Sequence, residues 1–153
     1  VSSPTTTRTY TIKEAAALTG LPASTLRYYE SIGVIAPISR GASSRHRVYD
    51  EGDLDQLMWV ACLAATGMSV SDMRAYVANG AIGPSAAREQ IGLLAEQERR
   101  LAHEAEQVAL RRRYVRIKID YWHAVDAGDD ARAELLSGEA RTLADDLRRK
   151  DRS

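Results

Sequence analysis

Between Pro84 and Gly128 nothing in this chain interrupts a helix, and that stretch limits every fold the 153 residues can adopt. Positions 87, 91, 94, 98, 101, 105, 108, 112, 115, 119 and 122 alternate steps of four and three. They read Ala, Ile, Leu, Glu, Leu, Ala, Val, Arg, Val, Ile and Trp, nine of the eleven being apolar. A row this narrow and this long is the seam of a coiled coil, not one face of a small core. Its two exceptions, Glu98 and Arg112, are equidistant from Ala105. Two copies packed antiparallel about Ala105 set Glu98 against the partner's Arg112 twice and Ile91 against the partner's Ile119, with Ala87 near the partner's Trp122. A parallel pair stacks like charges on like, which repulsion disfavours. The spacing predicts an antiparallel homodimer whose seam is Ile91, Leu94, Glu98, Leu101, Ala105, Val108, Arg112, Val115, Ile119 and Trp122.

Upstream, Thr11-Ile12-Lys13-Glu14 has the spacing of a capping box, so a first helix runs to about Thr19 and stops at Gly20. Pro22 then opens a second helix, Ala23–Ser31, which Gly33 ends. Ala23, Leu26 and Tyr29 fall on one side of that helix, and Ser24, Arg27, Tyr28 and Ser31 on the other. Hydroxyls, an arginine and a tyrosine are groups that reach base edges and phosphates, although read alone this face is equally an ordinary solvated surface. Val34–Ile38 and Arg47–Tyr49 flank the polar turn Ser39–Ser44, which suits a β-hairpin wing carrying Arg40, Arg45, His46 and Arg47.

Charge supports this reading despite a formal net charge of zero. Residues 8–49 hold six Lys/Arg (8, 13, 27, 40, 45, 47) against Glu14 and Glu30, whereas residues 50–81 hold Arg74 alone against five acids. The basic part coincides with the two short helices and the hairpin, where phosphate attraction would be needed.

The text Tyr10-Thr11-Ile12, Glu14-Ala15-Ala16, Thr25-Leu26-Arg27-Tyr28-Tyr29-Glu30, Gly33-Val34-Ile35, Arg47-Val48-Tyr49 and Asp53-Leu54 resembles the DNA-binding domain of the MerR family of bacterial transcription regulators. The resemblance covers Tyr10–Ser69; Pro22 stands where the family usually places a Ser or Thr cap. It implies a homodimer on a pseudo-palindromic promoter, which it bends and underwinds to bring the promoter elements into register for RNA polymerase. Carried over residue by residue, Thr11, Ser24, Thr25, Arg27, Tyr28, Arg45, Arg47 and Tyr49 become the DNA contacts.

A third helix, capped by Asp50, carries a core stripe of Leu54, Leu57, Met58, Ala61 and Ala65, with Trp59, Val60 and Leu63 on a second apolar side that packs on the dimerisation helix. Cys62 lies between these sides. It reads either as a small buried hydrophobe or, by resemblance to the single-cysteine, aldehyde- and nitrosative-stress-type branch of the family, as an electrophile or redox sensor. Ser69 starts a short fourth helix closed by Asn79-Gly80, and a last helix over Asp130–Arg149 sets Leu135, Leu136, Leu143 and Leu147 on its apolar side. That tail is too small for the ligand-binding domain of drug-sensing relatives, and the cysteines of metal-sensing and iron–sulfur relatives are missing, so no cofactor or metal is expected. No phosphate-cradling loop, nucleophile–base pair or paired carboxylates support an enzyme.

The expectation is a mainly α protein. Residues 1–9 form a disordered leader, 10–81 a winged helix-turn-helix domain, 82–126 a dimerisation helix in an antiparallel coiled coil, and 127–153 a short C-terminal helix. One cysteine and no membrane-length apolar run point to a cytoplasmic protein away from membranes. The alternatives are an effector-independent repressor or architectural protein, and a dimeric helical scaffold for protein contacts.

Overall fold

The computed structural model describes residues 7–150, so most of the leader expected over residues 1–9 lies outside the described residues. The described chain is helical: α1 (Ile12–Thr19), α2 (Ala23–Ser31), α3 (Glu51–Ala65), α4 (Val70–Ile82), α5 (Ala87–Asp126) and α6 (Asp130–Lys150), with a single 3-10 turn at Pro84–Ala86 leading into α5. It divides into two compact units, one reaching to Gln97 and the other starting at Glu98.

In the first unit the capping box is formed as expected: Thr11 Oγ1 accepts from the Glu14 N–H, and Glu14 Oε1 accepts from the Thr11 N–H, both at 3.2 Å. Gly20 turns the chain toward α2 with φ 74°, a left-handed conformation that a Cβ would strain, and returns its N–H to the Ala16 carbonyl. Pro22 stands at the cap of α2 and offers no side-chain acceptor. Helix α1 packs on α2 and α3, and α3 on α4, around Ala15, Leu26, Tyr29, Val34, Ile35, Tyr49, Leu57, Val60 and Met73.

Two local readings are corrected. The buried side of α3 is Leu57 and Val60 backed by Leu54, Leu63 and Ala64, while Met58 and Ala65 are exposed. The stripe is rotated by about one position, because a helix apolar nearly all round gives periodicity little to choose from. Helix α4 does not close at Asn79-Gly80 but continues to Ile82, where the Gly83 N–H donates to the Asn79 carbonyl. A single mid-helix Gly costs only about 1 kcal/mol, which packing can offset. The hairpin forms without strands among the described residues: it rests on isolated antiparallel bridges at Arg40–Arg47 and Tyr10–Tyr49.

In the second unit, α6 turns at Gly128 and folds back on α5. Ala133, Leu136, Ala140 and Leu143 bury Ile117 and Ala124, with Leu110, Tyr114 and Tyr121 partly covered. Leu135, expected on this face, is instead 67% exposed against 6% for its neighbour Leu136. Adjacent leucines lie about 100° apart on a helix, and only one can face the partner. The row that α6 covers is therefore 110, 114, 117, 121 and 124, distinct from the seam read in the sequence.

The seam is uncovered. In the first unit Ile91 and Leu94 are exposed; in the second, Leu101, Val108, Val115, Ile119 and Trp122 are.

Truncating Leu136 to Ala should lower stability by about 2–4 kcal/mol, whereas Leu135→Ala should stay within about 0.5 kcal/mol. Urea unfolding followed by circular dichroism measures both.

Candidate nucleic-acid interface

Helix α2 shows the division of faces its sequence predicts. Leu26 and Tyr29 are buried, and Ser24, Arg27, Tyr28 and Ser31 are exposed, with Thr25 half-buried at the flank. The exposed side offers two hydroxyls, a guanidinium and a phenol, of which Ser31 Oγ already donates to the Tyr28 carbonyl at 2.7 Å.

Beside α2 the hairpin is held by Val48 N–H donating to the Ser39 carbonyl at 2.8 Å and Gly41 N–H to the His46 carbonyl at 2.9 Å. Its tip is Arg45, at φ 57°, the one left-handed non-glycine among the described residues. Arg40 Nη1 donates to the Arg45 carbonyl at 3.1 Å and helps hold that conformation. The segment before α1 runs alongside: Tyr10 and Tyr49 exchange both backbone hydrogen bonds, at 2.8 and 2.9 Å.

One carboxylate joins α2 to the hairpin. Glu30 Oε2 accepts from Arg47 Nε at 2.6 Å, and Oε1 accepts from the Ile38 N–H at 3.2 Å. The two side chains are only 13% and 21% exposed. Burial pushes the Glu30 carboxyl up, but the Arg47 and Ile38 hydrogen bonds and the charges of Arg47 and Arg40 together hold it below its ordinary value of 4.5.

These elements border an open groove of about 580 Å³ lined by Thr9–Ile12 and Glu14 and by Arg27, Arg40, Ser44, His46, Arg47 and Val48. Arg8 lies 5.1 Å over the Tyr10 ring at the same edge. A groove bearing several guanidiniums and a Thr hydroxyl is suited to phosphate oxygens.

Of the residues expected to touch DNA, Thr11, Arg27 and Arg47 come together in this groove, Arg45 stands at the hairpin tip, and Ser24 and Tyr28 lie on the outer face of α2 with Thr25 at its edge. Tyr49 is a correction. Its side chain is fully buried, its hydroxyl has no hydrogen-bond partner, and burial pushes the phenol up, followed by the nearby Glu30 charge. It belongs to the core beneath the groove. Sequence reading left Glu30, Arg8 and Tyr10 out of the site. Glu30 stands 17 residues from Arg47, a pairing that no local pattern announces. Cys62 is exposed on α3, which removes the buried reading for the isolated chain. Among the described residues no group of three or more His, Cys, Asp or Glu could hold a metal ion, and no helix is long and apolar enough to cross a membrane.

The sequence profile of the family described as MerR HTH family regulatory protein matches residues 10–80. The chain is 41% identical over 73 residues to YyaN, an uncharacterized HTH-type transcriptional regulator of Bacillus subtilis, an alignment covering 48% of this chain and 52% of that protein. The chain thus spans about half the length of this relative. An uncharacterized HTH-type transcriptional regulator of Haemophilus influenzae is 32% identical over 107 residues, covering 70% of this chain and 76% of that one. Among solved structures, HiNmlR, a MerR family regulator lacking the sensor domain and bound to promoter DNA, superposes with a TM-score of 0.65 at 25% identity, covering 84% of this chain and 96% of that chain.

Replacing Glu30 by Gln should lower stability by about 1–3 kcal/mol at neutral pH. Because the Glu30 carboxyl is held low in the folded state, its contribution is present above pH 4.5 and lost as pH falls through its lowered folded value. The deficit of the variant should therefore shrink in that acid range, which thermal melts across pH measure.

Proposed function

The chain belongs to the MerR family of HTH regulatory proteins, and from that premise we propose that it is a transcription regulator that binds double-stranded promoter DNA as a homodimer. One observation carries the reading: Arg27, on the exposed polar face of α2, also lines the groove that holds Arg40 and Arg47, so the two surfaces adjoin. In this reading α2 enters the major groove with Ser24, Thr25, Arg27 and Tyr28 toward the bases and flanking phosphates. Thr11 and the hairpin arginines grip the backbone alongside. Arg47, already paired with Glu30, serves as a fixed cation, and Arg45 as the free one at the tip. HiNmlR, a MerR family regulator solved bound to promoter DNA, supports DNA binding as the activity.

Two such heads act on the half-sites of a pseudo-palindrome, bending and underwinding it so that RNA polymerase meets both promoter elements. Such a bend costs on the order of 1–10 kcal/mol, which the helix and hairpin contacts must offset. Dimerisation through the exposed row of α5, antiparallel about Ala105, is supported by seven large apolar side chains left in solvent on one chain. A response to electrophiles through Cys62 is supported by its exposure on α3; Cys62→Ser should then abolish induction by aldehydes while leaving operator affinity unchanged, as promoter-reporter and mobility-shift assays measure.

Anisotropy titration with the duplex upstream of its own gene, over a salt series, tests the DNA reading. Arg27→Ala should weaken binding by about 1–3 kcal/mol and reduce the salt slope. Arg45→Gly should reduce the slope by about one phosphate contact while leaving stability within about 1 kcal/mol, since glycine takes the left-handed conformation freely. Binding that is absent or insensitive to salt favours the scaffold alternative.

Sedimentation tests the seam. Glu98→Arg or Arg112→Glu alone should weaken the dimer, and the double exchange should restore it; in a parallel pair the double exchange restores nothing.

A further inference from the structure

Two glutamines of α5, one heptad apart, bind backbone of the two preceding helices, one at the end of α3 and one within α4. Gln97 is only 6% exposed, and its Nε2 donates to the carbonyl of Thr66, the residue that caps α3, at 2.8 Å. Gln90 Nε2 donates to the Tyr76 carbonyl in α4 at 2.8 Å, and its Oε1 accepts from Asn79 Nδ2 at 3.1 Å. Each amide also sits against a glycine. A Cβ on Gly67 would stand 3.9 Å from Gln97 Nε2, and one on Gly80 would stand 4.0 Å from Gln90 Nε2.

This is an uncommon way to seat a helix. Apolar contacts are non-directional and tolerate sliding and rolling by fractions of an ångström. A hydrogen bond to a fixed carbonyl weakens steeply once its angle departs from linearity, so two of them seven residues apart fix both the roll of a helix about its axis and its travel along it. An amide buried with its partner removed also carries a desolvation penalty, which makes any other seating of α5 unfavourable. The acceptors differ in kind: one closes the end of α3, and the other lies inside α4. The clamp therefore reads the relative placement of both helices.

We propose that Gln90 and Gln97 are positioning residues that set the direction in which α5 leaves the DNA-reading unit, and so the separation of the two reading heads in the dimer. This rests on the homodimer reading above. Neither glutamine lines the arginine groove or stands at one of the seam positions. Their loss should alter spacing without altering the chemistry of either surface. In a bent complex the heads must hold their separation against the elastic resistance of the duplex, and a directional clamp resists that load where apolar packing would creep.

The experiment is a spin-label distance measurement on the full chain. With Cys62→Ser as background, Ser43→Cys places one label on the hairpin of each subunit, and pulsed dipolar spectroscopy reads the distance between them without DNA. The native protein should give one narrow distribution. Gln97→Leu, which keeps the volume and removes the hydrogen bond, should broaden or shift it by several ångströms, and Gln90→Leu should do so independently. Native-like helicity and an unchanged dimer mass exclude mere loss of fold. In operator titrations the same variants should lose preference among duplexes whose half-sites are moved apart or together by one or two base pairs, yet keep native affinity for a single half-site. A distribution identical to the native one in both variants overturns the clamp while leaving the dimer standing. An absent dipolar signal in the native protein overturns the dimer, and the clamp's role with it. Should Gln97→Leu fail to fold, Gln90→Leu carries the same expectation.

Discussion

A single carboxylate holds the reading unit in its shape. Glu30 is the last acid of α2, and its two oxygens take a guanidinium from one arm of the hairpin and a backbone N–H from the other. Without it, the hairpin would depend on two isolated backbone bridges, Arg40–Arg47 within it and Tyr10–Tyr49 to the segment before α1. Such short pairings are marginal in water. The carboxylate converts them into a fixed wall facing α2, and it does so in a region where cations otherwise crowd one another. An unpaired Glu beside these arginines would oppose an approaching anion. Paired with Arg47, it is neutralised, and Arg40 and Arg45 stand outside the ion pair.

Beneath that wall lies the tyrosine the sequence assigned to the surface. Tyr49 adjoins Arg47 in a motif rich in DNA-contacting types, and residue type alone favours an exposed role. Its backbone, however, is paired to Tyr10, and its ring packs into the core of the first unit, while Arg47, two residues earlier, is held on the groove side by Glu30. Burial of the ring fills the space below the groove and fixes the two backbones that border it. The motif thus combines a groove residue and its support, a distinction made by the Glu30 pairing and by core packing, not by residue type.

How legible each part was follows from how local its cause is. The caps of α1 and α3, the stop at Gly20 and the two faces of α2 depend on residues within a turn or two of each other, and all were readable. The uninterrupted α5 was readable for the same reason. The buried side of α3 was not, because apolar residues surround it and only contact with α1, α4 and the hairpin selects one side. The end of α4 was misplaced because Gly80 imitates a stop, while the helix runs through it to Ile82. Nor could Leu135 and Leu136 be separated by composition; the turn at Gly128 decides which of them meets α5. The Glu30–Arg47 pair and the two glutamine contacts span long separations in sequence, where no periodicity speaks.

Helix α5 carries two apolar rows at once. In the second unit the row through Leu110, Tyr114, Ile117, Tyr121 and Ala124 lies under α6, and the row through Val108, Val115, Ile119 and Trp122 stays in solvent. The covered row follows the seam by two residues throughout, so insertion or deletion of a single residue ahead of both would turn them by about 100° relative to everything before it. Length changes in this rod are then tolerated only in whole heptads, or beyond Asp126 where the helix has ended. Variation among natural versions of such a protein should accordingly collect in the hinge before α6 and in the tail, leaving the shaft between them constant in residue count.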